Sequence, residues 1–311
     1  MPINKNPIDS ANKRLKEKLD DYQLITPIYS FDDVILDRSV FDDINTSIMV
    51  YKYSDEIYER WGLGKVIKRR KNISINLYGE SGTGKTITAH AIANALNKKM
   101  LFVNYGEIES KYVGETAKNL IRMFEYAKSN DCILVFDEAD ALLSKRVTAM
   151  TNATDVSVNQ TRNVLLRLLD DYTGVIIFTT NFISNYDKAF FRRITSHIKI
   201  AMPDYEGRKR LWQKYLVDEI KLEEEREKFV DEISKIDEVT GADISNAVLK
   251  TVTLAIINGE KGIKRYELEK EINNIKNNRE KIEDFHVSTR KVSPEYVKAQ
   301  IDSGGVMNGS T

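Results

Sequence analysis

The apolar positions of the chain change period several times, and each change predicts an element. Residues 1 to about 28 are polar, with only a weak helical spacing of Leu15, Leu19 and Leu24, and read as an extension. Phe31 to Leu36 opens the folded part. Val40, Ile44, Ile48 and Tyr51 recur at helical spacing and predict a helix over 37–53, with a shorter one over 57–61. A strand follows over Ile73–Tyr78, a helix over Ile87–Leu96, a strand over Met100–Val103 and a helix over Lys118–Ala127. Cys132–Phe136 is apolar at every position, the pattern of a strand covered on both faces. Residues 144–159 are rich in Thr and Asn without a period and predict a mobile loop. A helix over 160–172, a strand over 175–179, a helix over 187–193 and a strand over 197–201 complete the alternation.

Beyond Pro203-Asp204 the pattern is helical only, with helices expected over 207–217, 224–233, 243–257 and 266–277. Thr240-Gly241-Ala242-Asp243 supplies a turn and a cap for the third of these. Strands alternating with helices imply an α/β fold on a parallel sheet, followed by a small helical domain. The expected organisation is an extension over 1–30, an α/β domain over 31–203, a helical domain over 204–285 and a partly disordered tail over 286–311, Gly- and Ser-rich from 302.

The chemistry concentrates where the first strand ends. Gly79-Glu80-Ser81-Gly82-Thr83-Gly84-Lys85-Thr86 fits a phosphate-binding loop between a strand and a helix. Glycines let the backbone turn tightly beside a polyphosphate, and N–H groups at the helix start meet its oxygens. Lys85 can reach the β and γ phosphates, and Thr86 can place its hydroxyl on Mg²⁺. Gly79, Glu80, Ser81, Gly82, Thr83, Gly84, Lys85, Thr86 and Ile87 are therefore the candidate nucleotide contacts. The buried strand ends in Asp137-Glu138-Ala139-Asp140, and carboxyl ends of parallel strands are where open sheets bind ligands. Asp137 joins the nucleotide contacts as a Mg²⁺ partner, and Glu138 is a candidate base for an attacking water.

Composition narrows the reading without redirecting it. Among 311 residues, Lys+Arg and Asp+Glu both number 47, so the formal net charge is zero and no nucleic-acid partner is indicated. The basic run Lys65–Lys71 reads as a solvated face. One cysteine, Cys132, excludes an internal disulfide and suits a reducing cytoplasm, the expected location. No apolar run approaches the ~20 residues of a membrane-spanning helix, so no membrane is expected. His90, His197 and His286 have no metal-ligand spacing.

Taken in order, these motifs resemble the AAA family of the AAA+ superfamily, in the branch of katanin- and spastin-like remodelling enzymes and bacterial relatives. The resemblance covers roughly 31–260. Gly79–Thr86 resembles the Walker A motif and Leu134–Asp140 the Walker B motif. Thr179-Thr180-Asn181 is similar to the sensor-1 strand end, which implies that Asn181 positions the lytic water. Asp187–Arg193 is similar to the segment bearing arginine fingers. This implies that Arg192 or Arg193 reaches the γ-phosphate held by a neighbouring subunit, although the two arginines are adjacent here rather than separated by Pro-Gly. Lys111-Tyr112-Val113-Gly114 resembles a pore loop that grips a threaded polypeptide. Thr240–Asp243 resembles the start of the lid, with Ala242 where other branches carry a sensor-2 arginine. The resemblance implies a Mg²⁺-dependent ATPase acting as a homo-hexameric ring on a polypeptide, recruited by the extension, the tail or an adaptor. A DNA-linked loader or helicase accessory and a nucleotide-dependent scaffold are the alternatives.

Overall fold

The computed structural model describes residues 23–67, 72–103, 115–144, 153–181 and 186–287. Five strands form one parallel sheet: β1 (Ile73–Tyr78), β2 (Met100–Val103), β3 (Ile133–Phe136), β4 (Val175–Thr180) and β5 (Ser196–Lys199), in the order β2-β3-β4-β1-β5. Every residue of β3 and β4 is buried, which explains their continuous apolar runs. The crossover from β1 passes two strand positions and returns at the far edge. Consequently β4 lies between β1 and β3, with Tyr78 beside Thr180 and Phe136 beside Phe178. The ends of these three strands thus meet at a topological switch point, the crevice favoured for ligands in open α/β sheets.

The helices before the lid are α1 (Arg38–Lys52), α2 (Lys85–Ala95), α3 (Glu115–Ser129), the single turn α4 (Asp140–Leu143), α5 (Ala153–Asp171) and the single turn α6 (Lys188–Phe191). One face of the sheet packs Leu134, Phe136, Ile176 and Phe178 against α3 and α5, and the other packs Ile75, Leu77, Val135 and Ile177 against α1 and α2. The chain is already joined to the sheet at Ile25, which exchanges backbone hydrogen bonds of 2.8 Å with Met100 on the β2 edge.

Four further helices follow: α7 (Tyr205–Tyr215), α8 (Arg226–Ile233), α9 (Gly241–Ile257) and α10 (Arg265–Val287). They enclose a separate core of Trp212, Phe229, Ile233, Ile244, Leu268 and Ile272. Asp204 caps α7 by accepting from Gly207 N at 2.7 Å, so the helix begins at the residue after Pro203-Asp204.

Three expected elements differ. Residues 153–159 belong to α5 and not to a mobile loop. Where α5 continues, its buried face still carries the polar Asn159, Thr161 and Arg162; Arg162 Nη2 donates to Ala141 O at 2.7 Å and to Ser144 Oγ at 2.6 Å. The short helix near 57–61 is one π-helical turn over Glu56–Arg60. The last helix runs ten residues past 277, to Val287.

Candidate nucleotide-binding site

The loop after β1 adopts conformations that its glycines permit. Gly79 has φ +157°, and a Cβ there would lie 2.0 Å from Ile200 O; Gly82 has φ +79° and packs on the lid. Gly84 caps α2 in the left-handed region, and Lys85 is the first residue of the helix.

Lys85 is 9% exposed, and its ammonium donates to Gly79 O at 2.8 Å, Glu80 O at 2.7 Å and Asn181 Oδ1 at 2.8 Å. Three acceptors match its three donors. Burial pulls its pKa below the usual lysine value, opposed by the carboxylates of Asp140, Asp137 and Glu138. Beside it, Thr86 Oγ1 donates to Asp137 Oδ1 at 3.1 Å, and Thr179 Oγ1 donates to the same oxygen at 2.5 Å. Glu138 follows with φ +51°, an uncommon conformation for a residue with a side chain. Its N–H donates to Thr179 Oγ1 at 3.0 Å and holds that turn, while its carboxylate side stays exposed. Asn181 is fixed by its own N–H, which donates to Asp140 at 3.1 Å.

These groups open onto a cavity of about 400 Å³. The candidate contacts Ser81 through Ile87, Asp137, Glu138 and Asn181 all line it; Gly79 and Glu80 instead contribute the carbonyls that hold Lys85. Arg192 and Arg193 do not line it. Arg192 is exposed, whereas Arg193 Nε pairs with Asp170 at 2.9 Å and its Nη1 donates to Ala189 O at 3.2 Å. Lys111, Tyr112, Val113 and Gly114 lie outside the described residues.

Two parts of the wall escape sequence reasoning. Thr179 joins Asp137 to Glu138, a role that the sensor-1 resemblance of Thr179-Thr180-Asn181 does not assign to it. The stretch Asp33–Asp37 also lines the cavity, and α7 ties it down: Lys214 Nζ donates to Asp33 O at 2.7 Å and Arg210 Nη2 to Leu36 O at 3.3 Å. Just before it, Ile28 N–H donates to His90 Nδ1 of α2 at 3.4 Å, and burial lowers the pKa of that imidazole.

A glycine-rich strand-to-helix loop, a buried lysine at the start of the helix, an acidic strand end and a helical segment beside one cavity define a nucleotide-binding P-loop domain of the α/β class. Residues 75–202 match the model of the ATPase family associated with various cellular activities (AAA), so the chain carries a domain of the AAA family. It is 32% identical over 225 residues to the proteasome-activating nucleotidase of Saccharolobus solfataricus, covering 70% of this chain and 56% of that protein. It is 32% identical over 208 residues to 26S proteasome subunit RPT4 of Saccharomyces cerevisiae, covering 65% and 46%. The 26S proteasome regulatory subunit 4 homolog of Oryza sativa subsp. japonica is 31% identical over 242 residues, covering 74% and 51%. The chain spans about half the length of the curated relatives it matches. This similarity fits the AAA family as a whole and does not single out its katanin- and spastin-like branch. No described helix is long and apolar enough to cross a membrane.

Proposed function

We propose that this chain is a Mg²⁺-dependent ATPase that acts as a ring of its own copies, a homo-hexamer, and uses ATP hydrolysis to remodel a polypeptide in the cytoplasm. The observation that carries the reading is the joined set around the phosphate loop: Lys85 on Asn181, and Thr86 and Thr179 on Asp137. These are the side chains that phosphoryl transfer to water requires, already gathered on one wall.

Lys85 exchanges its loop carbonyls for phosphate oxygens. Thr86 and Asp137 offer a hydroxyl and a carboxylate 3.1 Å apart beside the phosphate site, a hard-oxygen pair suited to Mg²⁺. When bound, that cation neutralises charge on the β and γ oxygens. Glu138 takes the proton of the attacking water, and Asn181 orients that water. Arg192 or Arg193 reaches the nucleotide of the neighbouring copy. The polypeptide substrate is supported by relatives named for the proteasome, and Tyr112-Val113-Gly114 are the residues proposed to grip it, delivered directly or through an adaptor. Residues from about 204 to 285 act as the lid.

Replacing Glu138 tests the chemistry. Glu138→Gln keeps the side-chain shape and leaves Asp137 in place, so the variant should bind ATP as the wild type does and turn it over at a rate near zero. Equal turnover in variant and wild type refutes the catalytic assignment.

A further inference from the structure

The lid touches the phosphate loop through the first turn of α9. Ala242 N–H donates to Gly82 O at 3.3 Å. A Cβ on Gly82 would lie 2.7 Å from Thr240 Oγ1 and 3.0 Å from Ala242 Cβ, so the two segments are in direct contact. Gly241, Ala242 and Ser245 line the nucleotide cavity. Where the start of α9 sits therefore decides how the lid meets a nucleotide.

That start is closed by a reciprocal cap. Thr240 N–H donates to Asp243 Oδ2 at 2.9 Å, and Asp243 N–H donates to Thr240 Oγ1 at 3.2 Å. A cap of this kind satisfies its own helix and needs nothing more. Here two cations of α10 reach across to it and to the turn before it. Arg279 Nη1 donates to the same Asp243 Oδ2 at 2.6 Å, and its Nη2 donates to Glu238 O. Lys276, one turn earlier, donates to Asp237 O at 2.9 Å and lies 3.5 Å from the Glu238 carboxylate. Glu238 holds φ +55°, an uncommon conformation for a side-chain-bearing residue, so this turn benefits from an external hold. The Arg279–Asp243 pair is only 25% and 13% exposed, which limits screening by water.

We propose that Arg279, helped by Lys276, is a positioning residue for the nucleotide: from α10 it holds the capped start of α9 against Gly82 of the phosphate loop and so sets the lid's grip on bound nucleotide. Arg279 touches neither the cavity nor the residues assigned to hydrolysis. The proposal rests on the nucleotide reading of the cavity and not on ring formation or on any polypeptide substrate.

Arg265 supplies the control. It lies on the same helix with comparable ion pairs, to Glu269 at 2.7 Å and to Glu224 at 3.4 Å, but none of its partners belongs to the start of α9. The full chain is titrated with a fluorescent ATP analogue, and KM and kcat for ATP are measured alongside. Losing a charge-assisted contact at the lid should raise the Kd and KM of Arg279→Ala about tenfold together, with kcat within about twofold of wild type. Arg265→Ala should bind as wild type does, even where its melting temperature falls as far. Arg279→Lys, which keeps the charge without the fork that spans Asp243 and Glu238, should be intermediate. A wild-type Kd in Arg279→Ala, or an equal loss in Arg265→Ala, overturns the proposal. If Arg279→Ala does not fold, a wild-type Kd in both Arg279→Lys and Lys276→Ala overturns it. Failure of the wild-type chain to bind the analogue is a distinct result and removes the nucleotide reading itself.

Discussion

Replacing Lys85 by Met separates the cost of keeping a buried ammonium from its use. Met retains the unbranched stem and removes the charge and three donors. Those donors make hydrogen bonds of 2.7–2.8 Å, each worth about 1.5–3 kcal/mol when charge-assisted. Against them stands the desolvation of the ammonium, several kcal/mol per buried ion, whose presence the lowered pKa of Lys85 records. The partners do not all lose their bonds: Glu80 O still accepts from Thr83 Oγ1 at 2.8 Å, and Asn181 N–H still donates to Asp140. The two contributions nearly cancel, so Lys85→Met should change unfolding stability by no more than about 2 kcal/mol.

Binding behaves differently, because the phosphate oxygens bring charge of opposite sign. Two contacts of the ammonium with phosphate are worth roughly 3–6 kcal/mol, from which the surrendered carbonyl contacts must be subtracted. A net of about 2 kcal/mol left after that subtraction predicts a Kd for ATP raised about 30-fold. A thermal melt of the free protein and a titration with a fluorescent nucleotide read the two quantities on one sample. A Kd within about tenfold of wild type would refute the role of Lys85 in phosphate binding. A melting loss of the size of a large-to-small core truncation, about 2–5 kcal/mol, would refute the cancellation.

Arg192 is exposed, and Arg192→Ala should remove the trans contribution, a loss on the order of a thousand-fold in assembled ATPase rate, with little change in melting temperature. Turnover at the wild-type rate in confirmed assemblies would leave Arg193 as the finger. Burial lowers the pKa of His90 and of His197, so the unfolded chain takes up these protons first. Stability should therefore fall as pH drops below the ordinary imidazole value of 6.5 toward the lowered folded values, and level off beneath them. Unfolding titrations of His90→Gln and His197→Gln should each show a shallower acid slope, and an unchanged slope in both rules this out. Tyr112→Ala should keep basal ATP hydrolysis and melting temperature while losing polypeptide remodelling; full remodelling activity in that variant retires the grip assigned to Tyr112.

Much of this site could be read before any fold was known, because phosphate chemistry restricts residue type as well as spacing. Only glycine accommodates the approach of Gly79 to Ile200 O, and only a cation on the first turn of α2 meets both loop carbonyls and Asn181. The strands were legible for a related reason: β3 and β4 are buried at every position and admit only apolar or small polar side chains. Legibility ended where polar side chains do structural work through single bonds. Arg162 looks like a surface residue in the sequence, but it is 3% exposed and bonds Ala141 O, so its structural role could not be read there. The wall made by Asp33–Asp37 was invisible because the lid holds it by backbone carbonyls, which any sequence supplies.

The same distinction bears on how the site can respond to its ligand. Lys85 joins the phosphate loop to Asn181, and Gly82 O joins that loop to α9. A nucleotide entering the cavity does not meet idle groups. On the proposed role of Lys85, it draws the ammonium away from Gly79 O, Glu80 O and Asn181, and each group released becomes available to something else. Asn181 Oδ1, once freed, can accept from a water, which is the role assigned to it in hydrolysis. Phosphate binding and water positioning would then be sequential uses of one hydrogen-bond set, and the measured affinity would be a difference between two nearly matched sets. Asn181→Ala separates these uses: it should tighten nucleotide binding slightly, by releasing Lys85 from one competitor, while lowering turnover.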